Sequence, residues 1–212
     1  MKSHNQTRMV SIAGNIGIGK SSLTTLLSER FGWKPYYEVV DTNPYLADFY
    51  GDMRRWSFHL QVFFLSKRFK HHKEMLEIGG TVIQDRSIYE DVEIFAKNLY
   101  LQGKFEERDY RNYHELFSCM THYLKPPDLL IYLRATVPIL KKRIQIRGRP
   151  YELEIPTEYL QQLNNHYDNW VEHYKAGPLL VIDSNNLDYV NSHEDFQYVA
   201  GLIEKKLSPL SS

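Results

Sequence analysis

The segment Gly14-Asn15-Ile16-Gly17-Ile18-Gly19-Lys20-Ser21 sets glycines, one lysine and one hydroxyl at the spacing G-x-x-x-x-G-K-[ST]. Each residue type has a task at that spacing. Glycines let successive backbone N–H groups converge on phosphate oxygens, the lysine reaches the β- and γ-phosphates, and the hydroxyl can stand on Mg²⁺. The arrangement works where a strand feeds the turn and a helix leaves it, because a helix N-terminus adds positive potential. Met9-Val10-Ser11-Ile12-Ala13 reads as such a strand, and Leu23, Leu26 and Leu27 recur at helical spacing behind Ser21 and Ser22. These flanks favour a phosphate cradle over a plain Gly-rich turn. Residues 14–22 are therefore expected to hold ATP with Mg²⁺, which defines a donor and leaves the acceptor open.

Transfer of a phosphoryl group to a hydroxyl needs a base near the attacking oxygen and cations to spread the charge. In open parallel sheets such groups gather at the C-terminal ends of strands. Further strands are expected at Tyr36 to Val40, Thr81 to Asp85, Leu129 to Leu133 and Leu179 to Asp183, each near turn residues such as Gly79-Gly80, Pro126-Pro127 or Gly177-Pro178. Between them lie helical patterns from Trp56 to Ile78, Tyr89 to Tyr100, Tyr110 to Tyr123, Val137 to Ile146 and Thr157 to Tyr174. Strands alternating with helices imply an α/β fold with a five-stranded parallel sheet flanked by helices. No linker divides the chain, so one domain over residues 1–212 is expected, with only the first eight and last few residues frayed. Glu38 ends the second strand and Asp85 the third, the latter followed by Arg86-Ser87. Alone, either acid reads as a solvated loop residue. With the glycine-rich loop they form a constellation.

Composition narrows the partners. At 212 residues the chain can bury a sizeable core without staples, and its single Cys119 excludes an internal disulfide. Basic and acidic residues balance at 26 each, so no overall positive field favours a nucleic-acid polymer, and small anionic ligands fit better. Neither a signal peptide nor a membrane-length apolar run is visible, which makes the cytoplasm the expected location. His71-His72 and the other histidines show no defensible metal-ligand spacing.

Residues 14–21, Glu38, Trp56 with Gln61, Asp85-Arg86-Ser87 and Arg147-Gly148-Arg149-Pro150-Tyr151-Glu152 recur in this order in deoxyribonucleoside kinases, which the chain resembles over roughly residues 9–183. Asn43-Pro44-Tyr45-Leu46 and Trp56-Ser57-Phe58 are most similar to the bacterial deoxyadenosine and deoxyguanosine kinases. The resemblance implies a P-loop kinase fold with a lid loop at about 147–155, and transfer of the ATP γ-phosphoryl to the 5′-hydroxyl of a deoxyribonucleoside, a purine one, in nucleotide salvage. It implies Glu38 as the general base, Arg86 as the contact to the 5′ end and the transferring group, and Ser21 with Asp85 at Mg²⁺. It further implies that Gln61 reads the base edge, that Arg68 and Asp91 form a base-facing pair, and that Tyr50 and Glu152 hold the 3′-hydroxyl. Arg143, Arg147 and Arg149 would belong to a lid over the donor phosphates, suited by the planar guanidinium. The segment 183–188 falls where relatives contact adenine. Phe63, Phe64 or Tyr89 would stack on the base, and relatives dimerise through helices, for which the aromatic-rich segment 89–123 is available.

Several readings stay open. A deoxycytidine-accepting or broad deoxynucleoside kinase shares most of these residues. A nucleoside monophosphate kinase shares the loop and an Asp-Arg pair on the third strand, whereas Gln61 and Glu152 favour a nucleoside. A nucleotide-dependent switch is a third reading, disfavoured because the Asn-Lys-x-Asp pattern of guanine specificity is missing from the sequence.

Overall fold

The computed structural model describes residues 7–38 and 43–208. Strand β1 (Arg8–Ala13) is almost wholly buried and runs into the glycine-rich turn, from which helix α1 (Lys20–Phe31) leaves. β2 (Lys34–Tyr36) follows, then α2 (Leu46–Gly51) and the long α3 (Met53–Ile78). Asp52 caps α3, its side chain accepting the Arg55 N–H at 3.1 Å and so satisfying one of the free donors of the first turn. β3 (Thr81–Asp85) leads into α4 (Ile88–Glu90), a π-helical turn (Asp91–Ala96) and α5 (Lys97–Leu101), which follow one another without a break. The chain continues through α6 (Glu107–Thr121), β4 (Leu129–Arg134), α7 (Val137–Arg147), α8 (Pro150–Leu153), α9 (Thr157–Glu172), β5 (Leu179–Asp183) and α10 (His193–Leu207).

Among the described residues the five strands form one parallel sheet in the order β2-β3-β1-β4-β5. Period-2 alternation sorts their side chains between two cores. On one face Ala13, Leu130 and Tyr132 pack with Leu65, Val92, Tyr113, Leu160 and Tyr167. On the other Val10, Ile12, Leu129, Ile131 and Leu133 pack with Leu23, Leu27, Leu140, Val199 and Ile203. The order reverses at β1, whose neighbours β3 and β4 leave a crevice at their C-terminal ends. Register sets Ile12 level with Asp85 and Ala13 level with Tyr132, so the glycine-rich turn and the Asp85-Arg86-Ser87 turn emerge side by side.

The expected α/β architecture matches this sheet, with local corrections. The second strand spans Lys34–Tyr36 rather than reaching from Tyr36 to Val40, because its pairing to β3 ends at Tyr36 opposite Gln84. Glu38 therefore lies on the loop two residues past the strand, and residues 39 and 40 fall outside the described part. Arg8 belongs to β1 rather than to a frayed terminus, since its N–H donates to Gly80 O at 2.8 Å. The expected lid loop contains the short helix α8, started by Pro150 in the first turn, where a missing N–H costs nothing. Helices α2 and α10 are additional to the expected elements.

Candidate active site

The turn after β1 is built for oxygen ligands. Gly14, Gly17 and Gly19 have φ of 150°, 80° and 101°, angles that side-chain-bearing residues rarely adopt. A Cβ on Gly17 would lie 2.6 Å from Ile144 Cγ1 and 2.9 Å from Leu140 O, so α7 seats directly on the turn. Asn15 fixes the other side: its side-chain amide donates to Leu160 O at 2.9 Å and to Asn164 Oδ1 at 2.7 Å on α9, while its Oδ1 accepts the Ile16 N–H at 2.7 Å. Lys20 Nζ folds back onto the carbonyls of Gly14 and Asn15 at 3.0 and 3.1 Å. Burial, seconded by the nearby charge of Arg86, lowers its pKa to about 8, although Asp85, Glu38 and Glu90 act in the opposite sense. Ser21 Oγ donates to Asp85 Oδ2, and the buried Asp85 Oδ1 has no hydrogen-bond partner among the described residues. A hydroxyl beside a carboxylate with an unused oxygen is a donor set suited to a hard divalent cation, so these two residues fit Mg²⁺.

Two buried arginines, Arg68 and Arg86, stand against Glu38. Arg86 sits at φ 71°, in the left-handed region, which costs a side-chain-bearing residue about 1–2 kcal/mol. Its backbone N–H donates to Ile12 O at 2.9 Å, tying this turn to β1. Its guanidinium lies 4.4 Å over the Phe95 ring, donates from Nη1 to Tyr167 Oη at 2.6 Å, and stands 3.2 Å by Nε from Glu38 Oε1, a charge contact without hydrogen-bond alignment. Arg68 spans two acids: Nη2 donates to Glu38 Oε1 at 2.7 Å, and Nε reaches Asp91 Oδ1 and Oδ2 at 2.8 and 2.7 Å.

These contacts set the charge states. Burial pushes the Glu38 carboxyl up, but Arg86, Arg68 and Lys20 more than reverse it and hold the group well below the usual carboxylate range. Glu38 is thus ionised, and among the described residues both arginine contacts fall on Oε1, which leaves Oε2 to accept a proton. Asp91 behaves differently. Burial raises its pKa to about 7 in spite of Arg68 and Arg86, with the Glu38 charge adding to the rise.

A cavity of about 830 Å³ is lined by residues 16–22 together with Glu38, Gln61, Arg68, Arg86 and Asp91. Gln61 is buried and its Oε1 lacks a hydrogen-bond partner among the described residues, an unmet acceptor facing a ligand-sized space. Tyr50, Phe64 and Glu152 also line the cavity. Of the aromatic residues expected near the base, Phe64 does so, while Phe63 packs edge-on to Tyr45 and Tyr89 packs edge-on to Phe117. Tyr50 stacks on Tyr151 with centroids 6.0 Å apart and planes 19° from parallel.

The three lid arginines are not equivalent. Arg147 pairs with Glu152 Oε2, and Arg149 lies 3.4 Å from Glu152 Oε1, so the carboxylate expected at the 3′-hydroxyl is held by the lid itself. Arg143 lines the same cavity and makes a different set of contacts. Its guanidinium donates to Ile18 O at 3.0 Å, Ser184 O at 2.8 Å and Leu187 O at 2.9 Å, joining the glycine-rich turn to the loop after β5. Residues 185–191 of that loop also line the cavity.

Two residues absent from the sequence reading complete the site. Glu90, fully buried, accepts from the N–H groups of Gly14 and Ser87, and Tyr167 Oη donates to it. Ser87-x-x-Glu90 is a capping box, a local pattern visible in sequence. Tyr189 donates to Ile18 O at 3.1 Å and covers Gly19.

Comparison with known proteins supplies the lineage. The family model Deoxynucleoside kinase matches residues 10–208. The chain is 41% identical over 207 residues to a deoxyadenosine/deoxycytidine kinase of Bacillus subtilis, covering 96% of this chain and 95% of that protein. It is 39% identical over 208 residues to a deoxyguanosine kinase of Lactobacillus acidophilus, covering 94% and 90% of the two chains. A solved structure of deoxyadenosine kinase from M. mycoides with bound dATP superposes with a TM-score of 0.82 at 28% identity, over 93% of this chain and 99% of that one. A glycine-rich turn and an ionised glutamate beside two arginines thus share one cavity in a sequence matched along almost its whole length, and the chain belongs to the deoxynucleoside kinase family of phosphotransferases.

Proposed function

We propose that the protein transfers the γ-phosphoryl group of ATP to the 5′-hydroxyl of a purine deoxyribonucleoside, deoxyadenosine or deoxyguanosine. The observation that carries this reading is the single cavity that Glu38 and Arg86 share with the glycine-rich turn and with Gln61, Arg68 and Asp91. Glu38 Oε2 takes the proton of the attacking hydroxyl, Arg86 meets the charge that builds on the transferring group, and Lys20 leaves its carbonyls for the phosphates. Ser21 and Asp85 would hold Mg²⁺, which supplies charge neutralisation at the phosphate oxygens. Gln61 offers an amide donor and acceptor to a base edge, Asp91 an acceptor and Arg68 donors. Tyr50 and Glu152 hold the 3′-hydroxyl in this reading, and their packing leaves deoxyribose favoured over ribose. Arg147 and Arg149 move from Glu152 toward the donor phosphates when the lid closes.

One observation favours deoxycytidine as a further acceptor. The Gln61 amide and the Asp91 carboxylate suit an amino group next to a ring nitrogen, an edge that adenine and cytosine share. The Bacillus subtilis relative is named for both of these nucleosides.

A competition assay with the four deoxynucleosides and their monophosphates tests the reading. Deoxyadenosine or deoxyguanosine should be consumed first, with 5′-monophosphate as product. Turnover confined to monophosphates, or led by thymidine, would overturn it. The protein acts in the cytoplasm, where its donor ATP is abundant, and as a homodimer. Exposed Leu101, Leu116 and Tyr123 on and around α5 and α6 support the second statement. A monomer in sedimentation, or recovery with the envelope fraction, would count against them.

A further inference from the structure

Glu90 lies at the junction of both halves of the site yet does not line the cavity. Its Oε1 accepts the Gly14 N–H at 3.3 Å and the Tyr167 hydroxyl at 2.7 Å, and stands 3.4 Å from Arg86 Nη1. Its Oε2 accepts the Ser87 N–H at 2.7 Å and the Ser87 hydroxyl at 3.3 Å. A fully buried carboxylate with this many donors is strongly anchored, since each charge-assisted hydrogen bond in a dry site is stronger than a neutral one. Tyr167 is equally fixed. Its ring stacks on Tyr132 with centroids 5.5 Å apart and planes 17° from parallel, and its hydroxyl accepts Arg86 Nη1 at 2.6 Å while donating to Glu90.

Arg86 thus has Nη1 held by Tyr167 and Glu90, its plane laid on Phe95 and Nε beside Glu38. Among the described residues these contacts leave Nη2 for an incoming oxygen. The same Glu90 carboxylate holds Gly14, where the donor turn begins. We infer that Glu90 and Tyr167 form a positioning pair that fixes the Arg86 guanidinium relative to the donor turn, so that one carboxylate aligns the acceptor-side cation with the ATP phosphates. This rests on the proposed role of Arg86 at the transferring phosphoryl group. Neither residue is among those that line the cavity, so their effect falls on turnover at saturation rather than on binding. A misplacement of about 1 Å is enough to slow such a reaction about a hundredfold.

Tyr167→Phe removes a single oxygen and keeps the stacked ring, and Glu90→Gln keeps the shape while removing the charge. With whichever deoxynucleoside the wild type phosphorylates, each variant should lower kcat about ten- to a hundredfold, with KM for ATP and nucleoside within about threefold of wild type. The double variant should lose little more than Glu90→Gln alone, because the two act as one unit. Arginine-selective ¹⁵N NMR on the ligand-free protein, with the Arg86 signal assigned through Arg86→Lys, gives a readout independent of turnover. Guanidinium rotation should be slow in the wild type and faster in Tyr167→Phe. Unchanged kcat in both folded variants, a fall in kcat that tracks lost folded protein in thermal melts, or equally slow rotation in Tyr167→Phe would each overturn the inference. Absence of deoxynucleoside phosphorylation by the wild type would instead overturn the proposed function, and the NMR comparison would still decide the positioning of Arg86.

Discussion

Arg143 holds the carbonyl of Ile18 at 3.0 Å and, through its other terminal nitrogen, the carbonyls of Ser184 and Leu187 at 2.8 and 2.9 Å. One guanidinium thereby locks the donor turn to the loop that borders it. Its planar fork reaches acceptors on two loops from two separate nitrogens, a span that the single nitrogen of an ammonium lacks. Arg143→Ala and Arg143→Lys should both raise KM for ATP, by about tenfold for the alanine variant, with KM for the nucleoside nearly unchanged. Steady-state kinetics with each substrate varied in turn check this.

Lys20 should make ATP binding depend on pH. Its pKa of about 8 in the free protein lies below the ordinary lysine value, and phosphate contact favours the charged form. Binding above pH 8 must therefore take up a proton, and affinity should weaken as pH rises through 8. Between pH 8 and 10.5 the unfolded chain binds the proton that the folded one lacks, so this residue adds to stability as pH rises there. Calorimetry in buffers of different ionisation enthalpy should show proton uptake in the wild type and none in Lys20→Arg, whose side chain stays charged.

Glu38→Gln should reduce kcat about 10²- to 10⁴-fold, the range of a lost general base, and leave the ATP dissociation constant within about threefold. The carboxylate is ionised in the free protein because Arg86 and Arg68 hold it so. The acidic limb of the wild-type pH–rate profile should accordingly lie below the usual carboxylate range, to the extent that these arginines stay paired with substrate bound. A normal turnover number in the variant would remove Glu38 from the base role.

Gly17→Ala should destabilise the fold by about 1–3 kcal/mol and weaken ATP binding together, because the new methyl meets Ile144 and Leu140 O and the backbone stays at φ 80°. Thermal melts and nucleotide titrations on the same sample test the pairing of the two effects.

Residues that work through neighbours in the chain were legible from sequence. Residues 14–21 carry their own backbone demands, and the strand at Thr81–Asp85 is bounded by Gly79-Gly80 and ends on the acid it presents. Long-range relations were not legible from residue patterns. Arg68 is 30 residues from Glu38, and Glu90 is 76 from Gly14 and 77 from Tyr167, so nothing in local spacing links them. Family resemblance brought Arg68 and Asp91 into view together, and they do meet. The same route placed Arg143 among the lid arginines; it lines the cavity, and its contacts also tie two loops together, a relation no local pattern carries. The last helix carries local signals of its own: Ser192 caps it, accepting the Asp195 N–H at 3.2 Å, and Val199, Ile203 and Leu207 recur at helical spacing behind it.

The π-helical turn Asp91–Ala96 bears on which length changes the chain can accept. A π turn carries one residue more than the α-helical path it replaces. Deleting a single residue there would let the turn close to the α-helical path, with the helix on either side keeping its register. The change would fall inside the turn, altering the spacing about the axis of Asp91 and Phe95, which reach Arg68 and Arg86 from this one stretch. Homologous chains that keep this pair of contacts should therefore differ in length around the segment and not within it.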